Sequence, residues 1–204
     1  MKTAAKEKSI NFAKESAMEW GKYKASVAAA MNLFKFDNDI PNILINSLKK
    51  NQKIFIGGNG GSAAIALHYV CDLSKSANRD WENNNNRFRA ICLSSNTGYM
   101  TAIANDTDYS RVFKEQLINL ASPDDILILI SSSGNSPNIL EAARYAKENG
   151  LVVIGITGFN GGKLKEIADY NAHVELDSYE VCEDVHSIFG HFLVIYLREH
   201  SKNY

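Results

Sequence analysis

The sequence predicts an α/β protein in which a parallel sheet of about five strands lies between two layers of helices. Five short apolar segments rich in β-branched residues alternate with stretches of helical periodicity. Uninterrupted apolar strands suit a sheet that helices cover on both faces, and strand–helix–strand units give parallel strands. The segments are KIFIG at 53–57, FRAICL at 88–93, DILILI at 125–130, LVVIGIT at 151–157 and AHVEL at 172–176.

Two helices are expected before the first strand. No proline occurs from Met1 to about Met31, which predicts one long helix. Its apolar residues recur at roughly helical intervals: Phe12, Met18 or Trp20, Val27 and Met31. Asp37 and Pro41 open a second helix, whose apolar face consists of Ile40, Ile43, Leu44 and Leu48. We expect an N-terminal helical hairpin within residues 1–50 that packs on the core or on another subunit.

Length and charge favour one compact domain spanning residues 1–204. The chain has 204 residues and a net charge of −1, from 22 basic and 23 acidic residues that are intermixed. No long electrostatic field is available to attract nucleic acid or an anionic membrane, and neither is expected as a partner. The asparagine-rich stretch 83–86 is interpreted as a solvated loop.

The cysteines and the termini indicate where the protein works. The three cysteines are widely spaced and form no CxxC pair, which argues against a disulfide framework and a zinc ribbon. The N-terminus is charged, and no run approaches the roughly 20 apolar residues of a membrane span. We therefore expect an unprocessed cytoplasmic protein.

A glycine-rich loop follows the first predicted strand. The segment GGNGGS, residues 57–62, leads into a helical pattern. Glycine lets the backbone approach an anion closely, and the following helix start presents free N–H groups. The Walker spacing and the GxGxxG spacing are both absent, so no nucleotide cofactor is expected. The alternative is that such a loop only makes a tight strand-to-helix turn.

A serine-rich loop follows the third predicted strand. The segment SSSGNS, residues 131–136, precedes Pro137, which opens another helix. Four hydroxyls and the helix N–H groups can bind several phosphate oxygens without a cationic side chain. A serine helix cap explains one of these serines but not four. Because ligands bind at the carboxyl ends of parallel strands, we expect both loops to face one cleft.

Three further segments accompany these loops: ITGFNGGKL at 156–164, IANDTD at 103–108 and EDVHSIFGH near the C-terminus. As a set, the segments resemble those of the phosphoheptose isomerases of the sugar isomerase (SIS) family. The resemblance implies a flavodoxin-like fold and a homotetramer with sites at subunit interfaces. It implies conversion of sedoheptulose 7-phosphate to D-glycero-D-manno-heptose 7-phosphate for lipopolysaccharide or capsule synthesis. The open alternatives are an isomerase for another sugar phosphate and a non-catalytic SIS protein that binds the replication initiator DnaA.

The resemblance also assigns individual residues. The residues expected to bind substrate are Asn59, Gly60, Ser62, Asn105, Asp106, Ser131, Ser132, Ser133 and Ser136. Asp72, Glu183 and His191 are expected to be catalytic. His68, Asp72, Glu183 and His191 match a set that holds zinc in some family members. The family has Glu where this chain has Asp72, and Gln where it has Glu183.

The same side chains suit the chemistry without the resemblance. Aldose–ketose isomerisation moves a proton between adjacent carbons, which requires a base at carbon and an acid at oxygen. His68 and Asp72 are four residues apart and share one helix face. Imidazole and carboxylate are also usual ligands of Zn²⁺, and two carboxylates extend the choice to Mn²⁺ or Fe²⁺. The alternative for any single histidine is a buried, hydrogen-bonded role in the core. We expect a structural role for His173 and His200, and for His186 either a structural role or support of a neighbouring site residue.

Overall fold

The computed structural model describes residues 2–78, 81–82 and 87–201, without the side chains of 2–11 and 13. The asparagine-rich stretch 83–86 lies outside the described residues. The helices are α1 (Lys2–Leu33), α2 (Ile40–Lys49), α3 (Gly61–Cys71), α4 (Thr97–Asp106), α5 (Lys114–Leu120), α6 (Pro137–Glu148), α7 (Gly162–Ile167) and α8 (Tyr179–His200). The strands are β1 (Lys35–Phe36), β2 (Lys53–Gly58), β3 (Arg89–Cys92), β4 (Ile126–Ser131), β5 (Val152–Thr157) and β6 (Tyr170–His173).

The strands form one sheet in the order β1-β6-β5-β4-β2-β3. The five strands β2 to β6 are parallel, which confirms the predicted α/β class. The sixth strand, β1, pairs antiparallel with β6 through Lys35 and Phe36. Its two residues are too few to show the alternation that indicates a strand, so it was not predicted.

Helices cover both faces of the sheet because successive strand side chains point to opposite sides. Ile54, Ile126 and Ile154 pack on one face against α2, α3 and α8. Phe55, Leu127 and Val153 pack on the other face against α5, α6 and α7. The central strands are therefore apolar on both faces, which accounts for their uninterrupted sequences.

The first helix leaves much of its apolar surface uncovered. Tyr23, Val27 and Ala30 pack against the start of α8 in a small cluster of their own. By contrast, Phe12 and Trp20 are 60% and 59% exposed. Among the described residues, no helix combines the length and the apolar character needed to cross a bilayer.

Candidate active site

The glycine-rich and serine-rich loops lie side by side. β2 and β4 are neighbours, and Gly58 pairs with Ile130 at the carboxyl ends of the two strands. A cavity of about 120 Å³ opens between the loops. We call it the serine pocket; its lining residues are Asn59, Ser62, Ile130, Ser131, Ser132, Ser133, Ser136, Tyr179 and Glu183. Six predicted substrate-binding residues therefore share one cleft, as the sequence suggested.

Backbone geometry brings the first loop close to the pocket. Gly60 has a φ of +54°, a conformation that side chains other than glycine rarely adopt, and precedes the first residue of α3. A methyl group on Gly58 would overlap the backbone of Ser62. The loop therefore needs glycine both for its turn and for its close approach to α3. Gly60 itself is not among the residues that line the pocket.

The serine hydroxyls are largely free for a ligand. Ser132 is buried, and its Oγ has no hydrogen-bond partner in the described part of the chain. Ser136 precedes α6 but makes no side-chain cap bond, so helix capping does not explain it. Among the described residues, the hydroxyls of Ser131 and Ser133 accept only from the backbone N–H groups of Gly134 and Asn135, at 3.2 and 3.3 Å. Hydroxyls and helix N–H groups are what a phosphoryl group needs here.

Glu183 belongs to the serine pocket and not to the group around His68. Its carboxylate lies against Gly61, where a methyl group on that residue would overlap it. Burial raises the pKa of Glu183, and the nearby carboxylates of Glu180 and Asp184 raise it further. Glu183 was expected to hold a metal with His68, Asp72 and His191, but within one chain the described residues group only the other three. Glu183 stands eight positions before His191 on α8, a rise of about 12 Å along the helix.

A second group of side chains forms at the other end of α3. The ligand atoms of His68, Asp72 and His191 all lie within 4.8 Å of one another. His68 Nε2 is 3.4 Å from Asp72 Oδ2, and the two imidazole rings meet edge to face with centroids 5.0 Å apart. This metal triad borders a cavity of about 310 Å³ that Arg198 and Ile195 also line.

The metal triad fits a divalent ion. Ligands about 2.1 Å from a tetrahedral Zn²⁺ lie about 3.4 Å from each other, the separation that His68 and Asp72 already have. The ligand atom of His191 lies within 4.8 Å of both. Asp72 also begins a π-helical turn, Asp72–Ser76, a distortion frequent at functional sites.

Asn105 and Asp106 lie outside both groups. They are exposed at the end of α4, where Asn105 Nδ2 donates to Asp106 Oδ1 at 2.9 Å. The same region reaches the serine pocket through Tyr109, whose hydroxyl donates to Asn59 Oδ1 at 3.1 Å. No sequence pattern marks Tyr109, Tyr179 or Asn138 as site residues, because ordinary loop or helix positions explain them equally well. Tyr179 lines the serine pocket, and Asn138 is a hydrogen-bond partner of Asn59.

The remaining histidines stand apart from these groups. His186 is fully buried without a hydrogen-bond partner for either ring nitrogen among the described residues. Burial lowers its pKa to about 4. His173 Nδ1 lies 2.9 Å from the hydroxyl of Thr157, and His200 stacks on Tyr196.

All three cysteines are free thiols.

Known proteins share this arrangement. A family model described as SIS domain matches residues 38–158. Phosphoheptose isomerase 1 of Campylobacter jejuni is 35% identical over 86% of this chain and 92% of its own length. A phosphoheptose isomerase of Aliarcobacter butzleri is 39% identical over 73% of this chain and 77% of its own length. The chain belongs to the phosphoheptose isomerases of the SIS family.

Solved structures agree with this membership. The SIS-family phosphoheptose isomerase GmhA from Neisseria gonorrhoeae superposes with a TM-score of 0.78 at 26% identity, covering 91% of this chain and 98% of that one. The phosphoheptose isomerase from Francisella tularensis gives 0.77 at 26% identity, covering 94% and 98%. The family resemblance and the fold predicted from the sequence are thereby confirmed.

Proposed function

We propose that this chain is a sugar-phosphate isomerase that converts sedoheptulose 7-phosphate to D-glycero-D-manno-heptose 7-phosphate, for lipopolysaccharide or capsule synthesis. The observation that carries the proposal is the serine pocket, built from six family-matched residues, in a phosphoheptose isomerase of the SIS family. The clustering of His68, Asp72 and His191 favours an enzyme over a non-catalytic protein that binds DnaA. Free cysteines are consistent with a reaction in the cytoplasm.

The length of the substrate explains why the acid–base groups lie away from the serines. With the phosphoryl group of C7 in the serine pocket, C1 and C2 lie at the far end of a seven-carbon chain. Asp72 and His191 lie towards the other end of α3 and α8, which suits groups that act on C1 and C2. Glu183, eight residues before His191 on α8, lines the serine pocket, and we assign it a contact with the part of the sugar between these groups.

Proton transfer through an enediol balances with these groups. A carboxylate, assigned to Asp72, takes the proton from C1, while the imidazolium of His191 protonates the C2 oxygen. The carboxyl group then returns its proton to C2, and His191 recovers a proton from the C1 hydroxyl. In an ion-loaded site, His68, Asp72 and His191 would instead be ligands of a divalent ion such as Zn²⁺, and the ion would polarise the substrate oxygens in place of the imidazolium.

Assembly completes the proposal. We expect a homotetramer, and the exposed apolar side chains of α1 and α8 support it. These are Phe12, Met18, Trp20, Ile188, Phe192 and Ile195. Apolar surface on this scale usually marks an interface. Light scattering at micromolar concentration should give four times the chain mass, whereas a monomeric mass contradicts the assembly.

The activity is tested by incubating the purified protein with sedoheptulose 7-phosphate in D₂O and following the sugar by NMR. The expected result is an aldoheptose signal together with exchange of the C1 hydrogen. Fructose 6-phosphate and ribulose 5-phosphate serve as shorter competitors. Turnover of a shorter ketose without turnover of the seven-carbon sugar contradicts the assignment.

A further inference from the structure

A reciprocal pair of amides joins the two loops of the serine pocket. Asn59 Nδ2 donates to Asn138 Oδ1 at 2.9 Å, and Asn138 Nδ2 donates back to Asn59 Oδ1 at 2.9 Å. Asn59 follows β2, whereas Asn138 lies in the first turn of α6 and is only 1% exposed. Asn138 does not line the pocket, so it acts on a ligand only through Asn59.

A backbone group decides which way both amides point. The N–H of Ile139 donates to Asn138 Oδ1 at 3.1 Å, and of the two terminal atoms of an asparagine side chain only the oxygen accepts. This bond fixes the position of Asn138 Oδ1. Because Asn59 Nδ2 donates to that oxygen, the nitrogen of Asn59 must lie on the side that faces it. The orientation of Asn59, normally ambiguous for an amide, is thus set by α6.

The hydrogen bonds leave Asn59 one group for a ligand. Its Oδ1 accepts from Asn138 Nδ2 and from the hydroxyl of Tyr109, at 2.9 and 3.1 Å, so both lone pairs are used. Its Nδ2 uses one hydrogen on Asn138 and keeps the other. Asn59 therefore presents a donor and no acceptor to the pocket.

We propose that Asn138 is a positioning residue that holds Asn59 so that its free N–H faces an oxygen of the sugar phosphate. This inference rests on the proposed function, since it names what Asn59 offers to that substrate. A flipped Asn59 would direct its carbonyl oxygen at the substrate oxygens, where a phosphoryl oxygen repels it. The amide pair prevents the flip, because a flipped Asn59 would place its oxygen against Asn138 Oδ1 and its nitrogen against Asn138 Nδ2.

A double-mutant cycle tests the coupling. Asn138→Ala should lower kcat/KM for sedoheptulose 7-phosphate about tenfold, the effect of one lost hydrogen bond of about 1.4 kcal/mol. On an Asn59→Ala background the same change should matter less than about twofold, because its target is gone. Equal losses in both backgrounds overturn the proposal. Asp125→Ala is the control, since Asp125 is a buried polar residue at the amino ends of the strands, and it should lower stability without changing kcat/KM.

Tyr109→Phe gives a second cycle that does not disturb the buried pair. Tyr109 is 51% exposed, and the change removes only its hydrogen bond to Asn59 Oδ1. A loss of about two- to threefold in kcat/KM, absent in the Asn59→Ala background, supports the proposal. A loss that is equally large without Asn59 contradicts it.

A measurement without substrate separates this proposal from the proposed function. The side-chain NH₂ signals of Asn59 should be dispersed and slow to exchange with water in the wild type, and should collapse to fast-exchanging signals in Asn138→Ala. Unchanged signals in a folded Asn138→Ala overturn the positioning role. A wild type that does not turn over the sugar, yet shows this change, refutes the substrate and leaves the positioning intact.

Discussion

The carboxylate of Glu183 lies against Gly61, the first residue of α3, in space that any larger residue would fill. Gly61→Ala should push this carboxylate out of the serine pocket. We expect kcat/KM for sedoheptulose 7-phosphate to fall about 10- to 100-fold, because a displacement near 1 Å costs on that order. Gly98→Ala is the control, since no atom lies within 4 Å of the added methyl, and it should keep full activity. An active Gly61→Ala enzyme contradicts a role for Glu183 in the site.

Ser132→Ala should weaken substrate binding without loss of stability. The hydroxyl of Ser132 is buried and has no partner among the described residues, so its removal breaks no hydrogen bond within that part of the chain. We expect the Kd for the sugar phosphate, measured by calorimetry, to rise about 10- to 100-fold, as for a lost bond to a charged group. Ser47→Ala should lower the stability of the fold and leave the Kd unchanged, because Ser47 Oγ donates to Leu44 O at 2.7 Å, far from the pocket. Unchanged affinity in Ser132→Ala speaks against phosphate binding at this serine.

Removal of one member of the metal triad should abolish metal binding. His68→Ala is expected to lower the affinity for Zn²⁺ at least about 100-fold in a titration of the apoprotein. His200→Ala is the matched control, because His200 also lies at a helix end but stacks on Tyr196. If both variants bind Zn²⁺ as the wild type does, the triad is not a metal site.

The two departures from the family pattern should act separately. Asp72 is in the metal triad and Glu183 is in the serine pocket, so Asp72→Glu should change metal affinity while Glu183→Gln leaves it within about twofold. Glu183→Gln should instead change the KM for the sugar phosphate. Metal content and steady-state rates of both single variants and the double variant decide the point. A metal affinity that depends on Glu183 would place that residue at the ion.

Acid should destabilise the fold through His186. Burial lowers the pKa of His186 to about 4 from its usual value near 6.5, so the unfolded chain binds its proton first as the pH falls. The stabilisation is complete above about pH 6.5 and is lost progressively towards pH 4, on the order of 3 kcal/mol in all. Urea unfolding at pH 7.5 and pH 5 should show this loss in the wild type and much less of it in His186→Gln. Parallel losses in both proteins would exclude His186 as the cause.

The sequence predicted the sheet well because its strands carry a strong local signal. The segment 53–57 is one residue shorter than the observed β2, and the segment 125–130 is shifted by one residue from the observed β4. The last strand spans Tyr170–His173 and not residues 172–176, since the polar Tyr170 and Asn171 hide its start. Strand β1 was missed because two residues carry no period.

Most residues that line the serine pocket were predicted, whereas the hydrogen bonds that support them were not. Glycines and serines at strand ends predict an anion site, and in the structure Ser62 and Ser132 both line the serine pocket. The pairing of Asn59 with Asn138, 79 residues apart, depends on tertiary placement that no local pattern encodes. The separation of Glu183 from Asp72 likewise follows from where α3 meets α8, which spacing along one helix does not reveal.

The pairing of β1 with β6 constrains the order in which the chain can become compact during synthesis. Lys35 pairs with His173, so the strand that follows α1 has no partner until almost the whole sheet has left the ribosome. At about 5–20 residues per second this interval lasts roughly 10 s or more. Val27 and Ala30 are uncovered for that time, because the residues that bury them, Val181 and Val185, follow β6. The side of the N-terminal helix that packs on α8 therefore stays exposed until synthesis is nearly complete.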